Sequence, residues 1–248
     1  MLILGVETSS PQVSCALGGD DGVLAAAAVD RGQRHAELLA PMIRQLCEAA
    51  QVTLAEVGAV AVGVGPGLFT GLRVGLATAR ALAFALEVPM VGVSSLDVVA
   101  FPARLTDRTV VAVTDARRGE LFWAFYRPTP DAPVRLTEPR VGRPAELAAE
   151  IAACPDRCLL VGDGVARYRT ELCATGALCA GPVPARPSAA DLVLLARAAA
   201  AAGALVPPAA IRPIYLRLPD AEANWLQRPG TTGPTTGPTT GSTTGAAS

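Results

Sequence analysis

The sequence contains no lysine and only one histidine, His35, among its 248 residues. A Walker phosphate-binding loop requires a lysine, so the absence of lysine excludes that loop. One histidine cannot build a multi-histidine metal site. A catalytic pair of histidine with serine or cysteine would have to use His35, and no G-x-S-x-G turn is present to meet it. We therefore expect His35 to form a local hydrogen bond rather than to act in catalysis.

An excess of charge is also lacking, because 21 basic residues, all arginine, face 22 acidic residues and give a net charge of −1. Such a chain is poorly suited to binding nucleic acid alone by neutralising phosphates. Long apolar runs are absent too, since the best candidate, residues 192–206, is interrupted by Arg197. The start of the chain shows no signal-peptide pattern. We expect a cytoplasmic protein with no membrane segment.

The spacing of the cysteines excludes the common zinc ribbons. The last four form a C-x3-C and a C-x5-C pair, whereas zinc ribbons use closer pairs, and Cys173 falls in a predicted helix. We expect no bound metal and interpret the cysteines as reduced, structural thiols. The six are Cys15, Cys47, Cys154, Cys158, Cys173 and Cys179.

A glycine-rich segment, residues 63–73, organises the first half of the chain. It follows a strand predicted over residues 59–64 and precedes a helix predicted over residues 70–87. This order is that of a dinucleotide-binding unit, but the glycines do not form G-x-G-x-x-G, and no acid follows the next strand. We interpret the glycines as permitting close helix packing, with a phosphate cradle as the weaker alternative.

Two predicted helices carry more apolar residues than one contact with a sheet requires: the first follows residues 31–37 and ends at about Ala50, and the second spans residues 70–87. The first has two neighbouring apolar stripes, and the second is apolar on nearly every side. An excess of apolar surface of this kind usually marks an interface with a partner protein. The predicted interface residues are His35, Leu38, Leu39, Met42, Ile43, Leu46, Leu72, Leu76 and Arg80.

The second half of the chain begins by repeating the first. Residues 2–16 and 110–124 each contain a strand that ends in an acid, a four-residue turn and a second strand, so Glu7 corresponds to Asp115. This repeat predicts an α/β fold of two tandem half-domains, each a mixed sheet covered by helices. We assign them to residues 1–105 and 106–226. Residues 227–248, rich in threonine, glycine and proline, are expected to form a disordered tail.

This arrangement resembles the actin, Hsp70 and sugar-kinase superfamily, which has the actin-like, ribonuclease-H-like ATPase fold. In that superfamily the two hairpin turns wrap nucleotide phosphates, an acid holds magnesium through water, and a glycine pair binds adenosine. The resemblance therefore suggests weak candidates for a nucleotide site, and the alternative function of a small-molecule kinase or ATPase. The candidates are Glu7, Asp115, Gly162 and Gly164.

The residue types in the two turns argue against nucleotide binding. Residues 8–11 lack the glycine that lets backbone amides surround a phosphate. Arg117 and Arg118 place two cations in the second turn, where they either bind an anion or fill the cleft and pair with Glu7 and Asp115. We favour filling, and we expect no cofactor.

Four segments together resemble the TsaB (YeaZ) family of bacterial tRNA threonylcarbamoyladenosine biosynthesis proteins. They are residues 4–9 (LGVETS), 34–43 (RHAELLAPMI), 65–75 (GPGLFTGLRVG) and 115–120 (DARRGE). The order of elements agrees over about residues 1–225. Leu68 departs from the family pattern, which has serine at this position.

The resemblance implies a non-catalytic subunit that pairs, through the two apolar helices, with the catalytic subunit TsaD. A third protein, the ATPase TsaE, joins them. Together they attach threonylcarbamoyl to N6 of adenosine 37 in tRNAs that read codons starting with A, so this subunit meets tRNA indirectly. Alone, it is expected to form a homodimer through the same surface. A hydrolase is the weakest alternative, because the sequence offers no plausible pair of nucleophile and base.

Overall fold

The computed structural model describes residues 1–30, 32, 34–181 and 185–217. Residues 1–216 form one compact unit. The predicted tail, residues 227–248, lies outside the described residues.

The first sheet has five strands in the order β3-β2-β1-β4-β5. Strands β1 to β3 form an antiparallel meander, and β4 and β5 extend it in parallel with β1. β4 contains only valine, alanine and glycine and is buried over most of its length, as expected of a central parallel strand. The strands are β1 (Leu2–Glu7), β2 (Val13–Gly19), β3 (Gly22–Val29), β4 (Val57–Gly63) and β5 (Met90–Val93).

Three helices accompany this sheet: α1 (His35–Ala50), α2 (Phe69–Leu86) and α3 (Ser95–Ala100). α1 and α2 pack side by side over one face of the sheet, in a core shared with β1, β2 and β4. α3 ends at Ala100 and continues as a 3-10 turn, Phe101–Ala103. Pro102 accounts for this change, because it has no N–H group to donate to the carbonyl of Val98, as an α-helix would require.

The second sheet has six strands, in the order β11-β10-β6-β7-β8 with β9 also paired to β7. β6 and β7 form an antiparallel hairpin that corresponds to β1 and β2, which confirms the predicted repeat. The elements of this half are β6 (Thr109–Arg117), β7 (Glu120–Arg127), β8 (Val134–Arg135), β9 (Arg140–Gly142), α4 (Pro144–Ala153), β10 (Cys158–Val161), α5 (Asp163–Arg167), α6 (Arg169–Cys173) and β11 (Leu178–Cys179).

One pair of cysteines departs from the expectation of reduced thiols. Cys173 and Cys179 form a disulfide, with their Cα atoms 6.0 Å apart. The turn between α6 and β11 brings them within the range that a disulfide requires. The other four cysteines are free.

The last helix, α7 (Ala189–Ala201), returns to the first sheet, although the predicted division assigns it to the second half. It packs on the face opposite α1 and α2. Ser188 caps its start, and its hydroxyl accepts hydrogen bonds from the N–H groups of Ala190 and Asp191. The segment after α7 also contacts the first sheet. The N–H of Ile214 donates to the carbonyl of Val64, which directly follows β4, at 2.8 Å.

The two halves are joined at α3 by one polar cluster. Asp97 accepts a hydrogen bond from the hydroxyl of Tyr126 at 2.8 Å and a two-pronged ion pair from Arg135. Burial is the main cause that raises the pKa of Tyr126 above its ordinary range. The tyrosine therefore remains a neutral donor, and the cluster fixes α3 against β7 and β8.

Candidate functional site

Glu7, the first candidate ligand for magnesium, is enclosed at the end of β1. Its side chain is fully buried. The N–H group of Ser9 donates to Oε1 at 2.6 Å, and the hydroxyl of Ser95 donates to Oε2 at 3.1 Å. Burial raises the pKa of Glu7, while the hydrogen bonds from Ser9 and Ser95 act in the opposite direction. Both carboxylate oxygens are therefore engaged inside the protein.

Gly63 closes the site from the neighbouring strand. A Cβ atom at this position would lie 2.0 Å from Oε2 of Glu7, so the strand passes directly against the carboxylate. This contact occupies the space in which a hydrated cation would have to sit beside Glu7.

The turn after β1 is covered by the start of α2. The hydroxyl of Thr8 donates to the carbonyl of Gly71 at 2.8 Å, and the N–H of Leu68 donates to the carbonyl of Ser9 at 2.7 Å. A Cβ atom at Gly71 would lie 2.1 Å from the carbonyl oxygen of Thr8. The glycine-rich segment thus permits close helix packing, as we favoured, and its approach fills the position of a phosphate cradle.

His35 takes part in the same packing. It is buried, and Nε2 hydrogen bonds to the carbonyl oxygen of Ser10 at 2.8 Å. The ring also lies beside Gly71, whose added Cβ atom would be 3.4 Å from Cε1. The expected local hydrogen bond is confirmed, and it joins α1 to the turn after β1.

Asp115, the counterpart of Glu7, lies in an ionic cluster. Oδ1 accepts the N–H of Arg117 at 2.9 Å. Oδ2 lies 3.4 Å from Nη1 of Arg117 and 3.2 Å from Nη1 of Arg167. The predicted pairing of Arg117 with Asp115 is confirmed. Pairing with Glu7 is wrong, because the serines described above occupy that carboxylate.

A second acid, Asp163, supports the cluster and was missed in the sequence. It accepts the backbone N–H of Asp115 at 3.0 Å, and burial is the main cause that raises its pKa. Arg186 lies between the halves. Its Nε is 3.8 Å from Oδ2 of Asp163, and its Nη1 forms an ion pair with Oδ1 of Asp30 in the first half. The only sequence signal was the position of Asp163 between the two candidate glycines.

Those glycines serve packing as well. Gly162 has a φ angle of +116°, and an added Cβ atom would lie 2.0 Å from the carbonyl oxygen of Val113. At Gly164 the same atom would lie 2.8 Å from a methyl group of Leu121. The strand-to-helix turn and the packing against the neighbouring hairpin therefore account for both residues.

The predicted interface residues lie mostly inside the protein. Seven of the nine are buried, and Leu38 and Arg80 are half-buried. Arg80 donates to the backbone carbonyl of Ile211. The prediction that these side chains form surplus apolar surface is wrong, because α1 and α2 cover each other's stripes as well as the sheet. The seven are His35, Leu39, Met42, Ile43, Leu46, Leu72 and Leu76.

The same two helices nevertheless expose several small or apolar residues beside the charged Glu37, Arg44 and Arg73, and we call these residues the outer face. Phe84, the largest residue of this surface, is 60% exposed. On α2 the exposed positions recur with helical spacing and form one stripe. The polar residues Thr70 and Arg73 lie at the start of this stripe, and they were the sequence signal that could have identified the exposed side of α2. The outer face consists of Ala36, Ala40, Pro41, Ala77, Ala81, Phe84 and Ala85.

By length and composition α2 could also cross a membrane, but a core helix of a soluble protein passes the same test. Its inner side belongs to the core described above. The composition of α2 is therefore only weak support for a membrane segment.

Comparison with known proteins identifies relatives along most of the chain. Residues 29–225 match the family model described as TsaD, tRNA N6-adenosine threonylcarbamoyltransferase. The chain is 36% identical over 229 residues to an uncharacterized protein of Mycobacterium leprae, which it covers to only 56%. TsaB of Escherichia coli is 38% identical over 51% of this chain, and TsaB of Bacillus subtilis is 27% identical over 92% of it.

Solved structures agree with these matches. YeaZ from Pseudomonas aeruginosa superposes with a TM-score of 0.77 at 31% identity, covering 87% of this chain and 99% of YeaZ. The activator of 2-hydroxyisocaproyl-CoA dehydratase from Clostridium difficile, solved with bound ADPNP, gives a TM-score of 0.50 at 10% identity. At that identity the second likeness concerns the fold alone, which is the predicted actin-like ATPase fold.

The enclosure of Glu7 predicts a defined pH dependence of stability. Between the ordinary pKa of 4.5 and its raised value, the folded state retains a proton that the unfolded state has released. The free energy of unfolding from this group therefore falls as the pH rises through that window. We expect Glu7→Gln to gain stability relative to the wild type as the pH rises above 4.5 through that window, measured by urea denaturation.

Glu56→Gln provides the control for this experiment. The pKa of Glu56 is lowered by hydrogen bonds from Thr53, so its substitution should shift relative stability in the opposite direction over its own range. A stability difference between Glu7→Gln and the wild type that does not vary with pH would show that Glu7 is not enclosed as described.

Close packing at Gly71 predicts a large effect of one methyl group. Gly71→Ala gains helix propensity, but its Cβ atom meets a backbone oxygen that cannot move without shifting β1. We expect the free energy of unfolding to fall by about 2 kcal/mol, as for overpacked cores. The matched control is Gly181→Ala, where no atom lies within 4 Å of the added methyl. Equal stability of the two variants, measured by chemical denaturation, would contradict the contact.

Proposed function

The chain belongs to the TsaB (YeaZ) family of tRNA threonylcarbamoyladenosine biosynthesis proteins, and from this premise we propose that it is a non-catalytic subunit that binds and activates a catalytic TsaD subunit. Its part in threonylcarbamoyladenosine biosynthesis follows from the family. The proposal adds that the assembled complex attaches threonylcarbamoyl to N6 of adenosine 37 in tRNAs reading codons that start with A.

The observation that carries this proposal is the outer face. Its alanines, placed about one turn apart on α2, leave a shallow surface against which a partner helix can pack closely. Phe84 stands above that surface as an apolar anchor. Two adjacent helices of this length can supply the area of about 800 Å² per partner that is normal for a specific interface.

The candidate chemical sites support a role without catalysis. Glu7 is enclosed, and His35 is engaged by a backbone carbonyl. Within the described ranges, no group of three or more histidine, cysteine, aspartate or glutamate side chains could hold a metal ion. No observation on these residues favours the alternative of a kinase or ATPase. The chain therefore offers a surface to the complex, and the partner supplies the chemistry.

The remaining partners follow from the same premise. The ATPase TsaE joins the complex, and tRNA reaches this subunit within it. Without a catalytic partner, the outer face would associate with a second copy, since an exposed apolar surface favours such pairing. The homodimer and the heterodimer then compete for one surface. The site of action is the cytoplasm, where tRNA is modified.

Ala81→Glu tests the outer face. Ala81 is exposed, so the fold should be retained, whereas glutamate at the buried Leu39 or Leu76 would disrupt the core. A charge in the centre of the interface should abolish co-purification with a co-expressed TsaD of the same organism. The readout is the mass of the eluted complex by light scattering.

The control is Ala198→Glu, an exposed alanine on α7, which packs on the opposite face of the sheet. This variant should form the complex like the wild type. If Ala81→Glu also forms a complex of unchanged mass and affinity, the outer face is not the site of pairing.

A further inference from the structure

Three arginines meet at one end of the second sheet. Arg108 immediately precedes β6, Arg127 ends β7, and Arg157 immediately precedes β10. β6 runs antiparallel to β7 and parallel to β10, so the start of β6, the end of β7 and the start of β10 lie at the same edge. Asp115 lies towards the other end of β6. The three arginines are therefore separate from the ionic cluster described above.

These arginines line an open groove. One cavity of about 590 Å³ is lined by all three, and an adjoining cavity of about 360 Å³ shares Arg108, Asp156 and Arg157 with it. We call this surface the arginine groove. Its extent along the sheet edge suits a row of charged groups better than one small ion.

The charge of the groove is only partly balanced. In the part of the chain that the structure describes, the three guanidinium groups have neither an ion pair nor a hydrogen bond, in contrast to the paired Arg117 and Arg167. Two acids, Asp107 and Asp156, also line the groove, and Asp156 accepts a hydrogen bond from the hydroxyl of Thr109 at 3.2 Å. Three arginines against two acids leave one positive charge.

We propose that the arginine groove binds the sugar–phosphate backbone of RNA. The planar fork of a guanidinium group matches the oxygens of a phosphate. An acidic peptide is the competing ligand, but peptide sites usually combine charge with apolar anchor pockets. The larger cavity is lined only by arginine, aspartate, threonine and proline.

The identity of the RNA as tRNA rests on the proposed function. With a net charge of −1, the chain cannot add much non-specific attraction to the groove. The groove therefore acts as one contact among several in an assembled complex, positioning the substrate while other subunits supply most of the affinity.

The test compares two triple variants of the full chain. Arg108→Gln, Arg127→Gln and Arg157→Gln together remove the groove charges. The control removes the same number of charges at exposed positions elsewhere: Arg140→Gln, Arg169→Gln and Arg197→Gln. Binding of a fluorescent, unmodified tRNA transcript is measured by anisotropy at several salt concentrations, for the isolated chain and for the complex.

We expect the groove variant to bind about tenfold more weakly than the control, and the slope of log K against log salt to decrease in magnitude by about 2, as for three lost phosphate contacts. Equal binding by the two variants in the complex, or no binding of tRNA by the wild-type complex up to about 100 μM, would overturn the proposal. Binding of a polyglutamate peptide that depends on the groove arginines and resists competition by tRNA would also overturn it.

The mass of the complex, measured on the same preparations, separates the two proposals. If the wild type does not assemble with TsaD, the proposed function fails, whereas unchanged tRNA binding by an assembled groove variant overturns only the groove proposal. If the groove variant assembles normally and loses tRNA binding, both proposals are supported.

Discussion

The contact between the turn after β1 and the start of α2 is the constraint on which the first half depends. The hydroxyl of Thr8 binds the carbonyl of Gly71, and the approach leaves no room for a side chain on that glycine. The same contact buries the turn, encloses Glu7 beneath it and fixes α2 beside α1. A turn held in this way cannot wrap a phosphate, and a helix held in this way presents one constant face to solvent.

The acids of the two repeated hairpins are surrounded in different ways. In the first, a helix covers the turn, and serine and glycine surround the acid. In the second, arginines pair with Asp115 and with the neighbouring Asp163. Two exposed features of the chain then remain as candidate sites: the outer face of α1 and α2, and the arginine groove at the far end of the second sheet.

Much of this architecture was predictable from local signals. The buried strand predicted over residues 59–64 and the repeat of Glu7 in Asp115 both rest on short-range patterns, and the structure confirms them. The orientation of α1 and α2 was only weakly signalled, because α1 carries two neighbouring apolar stripes and α2 is apolar on nearly every side except at Thr70 and Arg73. Leu39 and Leu76 were therefore assigned to the surface although they lie in the core.

The partners of charged residues could not be predicted either, since Arg186 contacts Asp30 and Asp163 from distant parts of the sequence.

The central claim is that the enclosure of Glu7 leaves no nucleotide site and that the chain works through its surfaces. Calorimetric titration of the isolated protein with ATP and magnesium tests it most directly. The account predicts no saturable heat up to about 1 mM nucleotide, whereas a dissociation constant of about 10 μM, lost on substitution of Glu7, would contradict it.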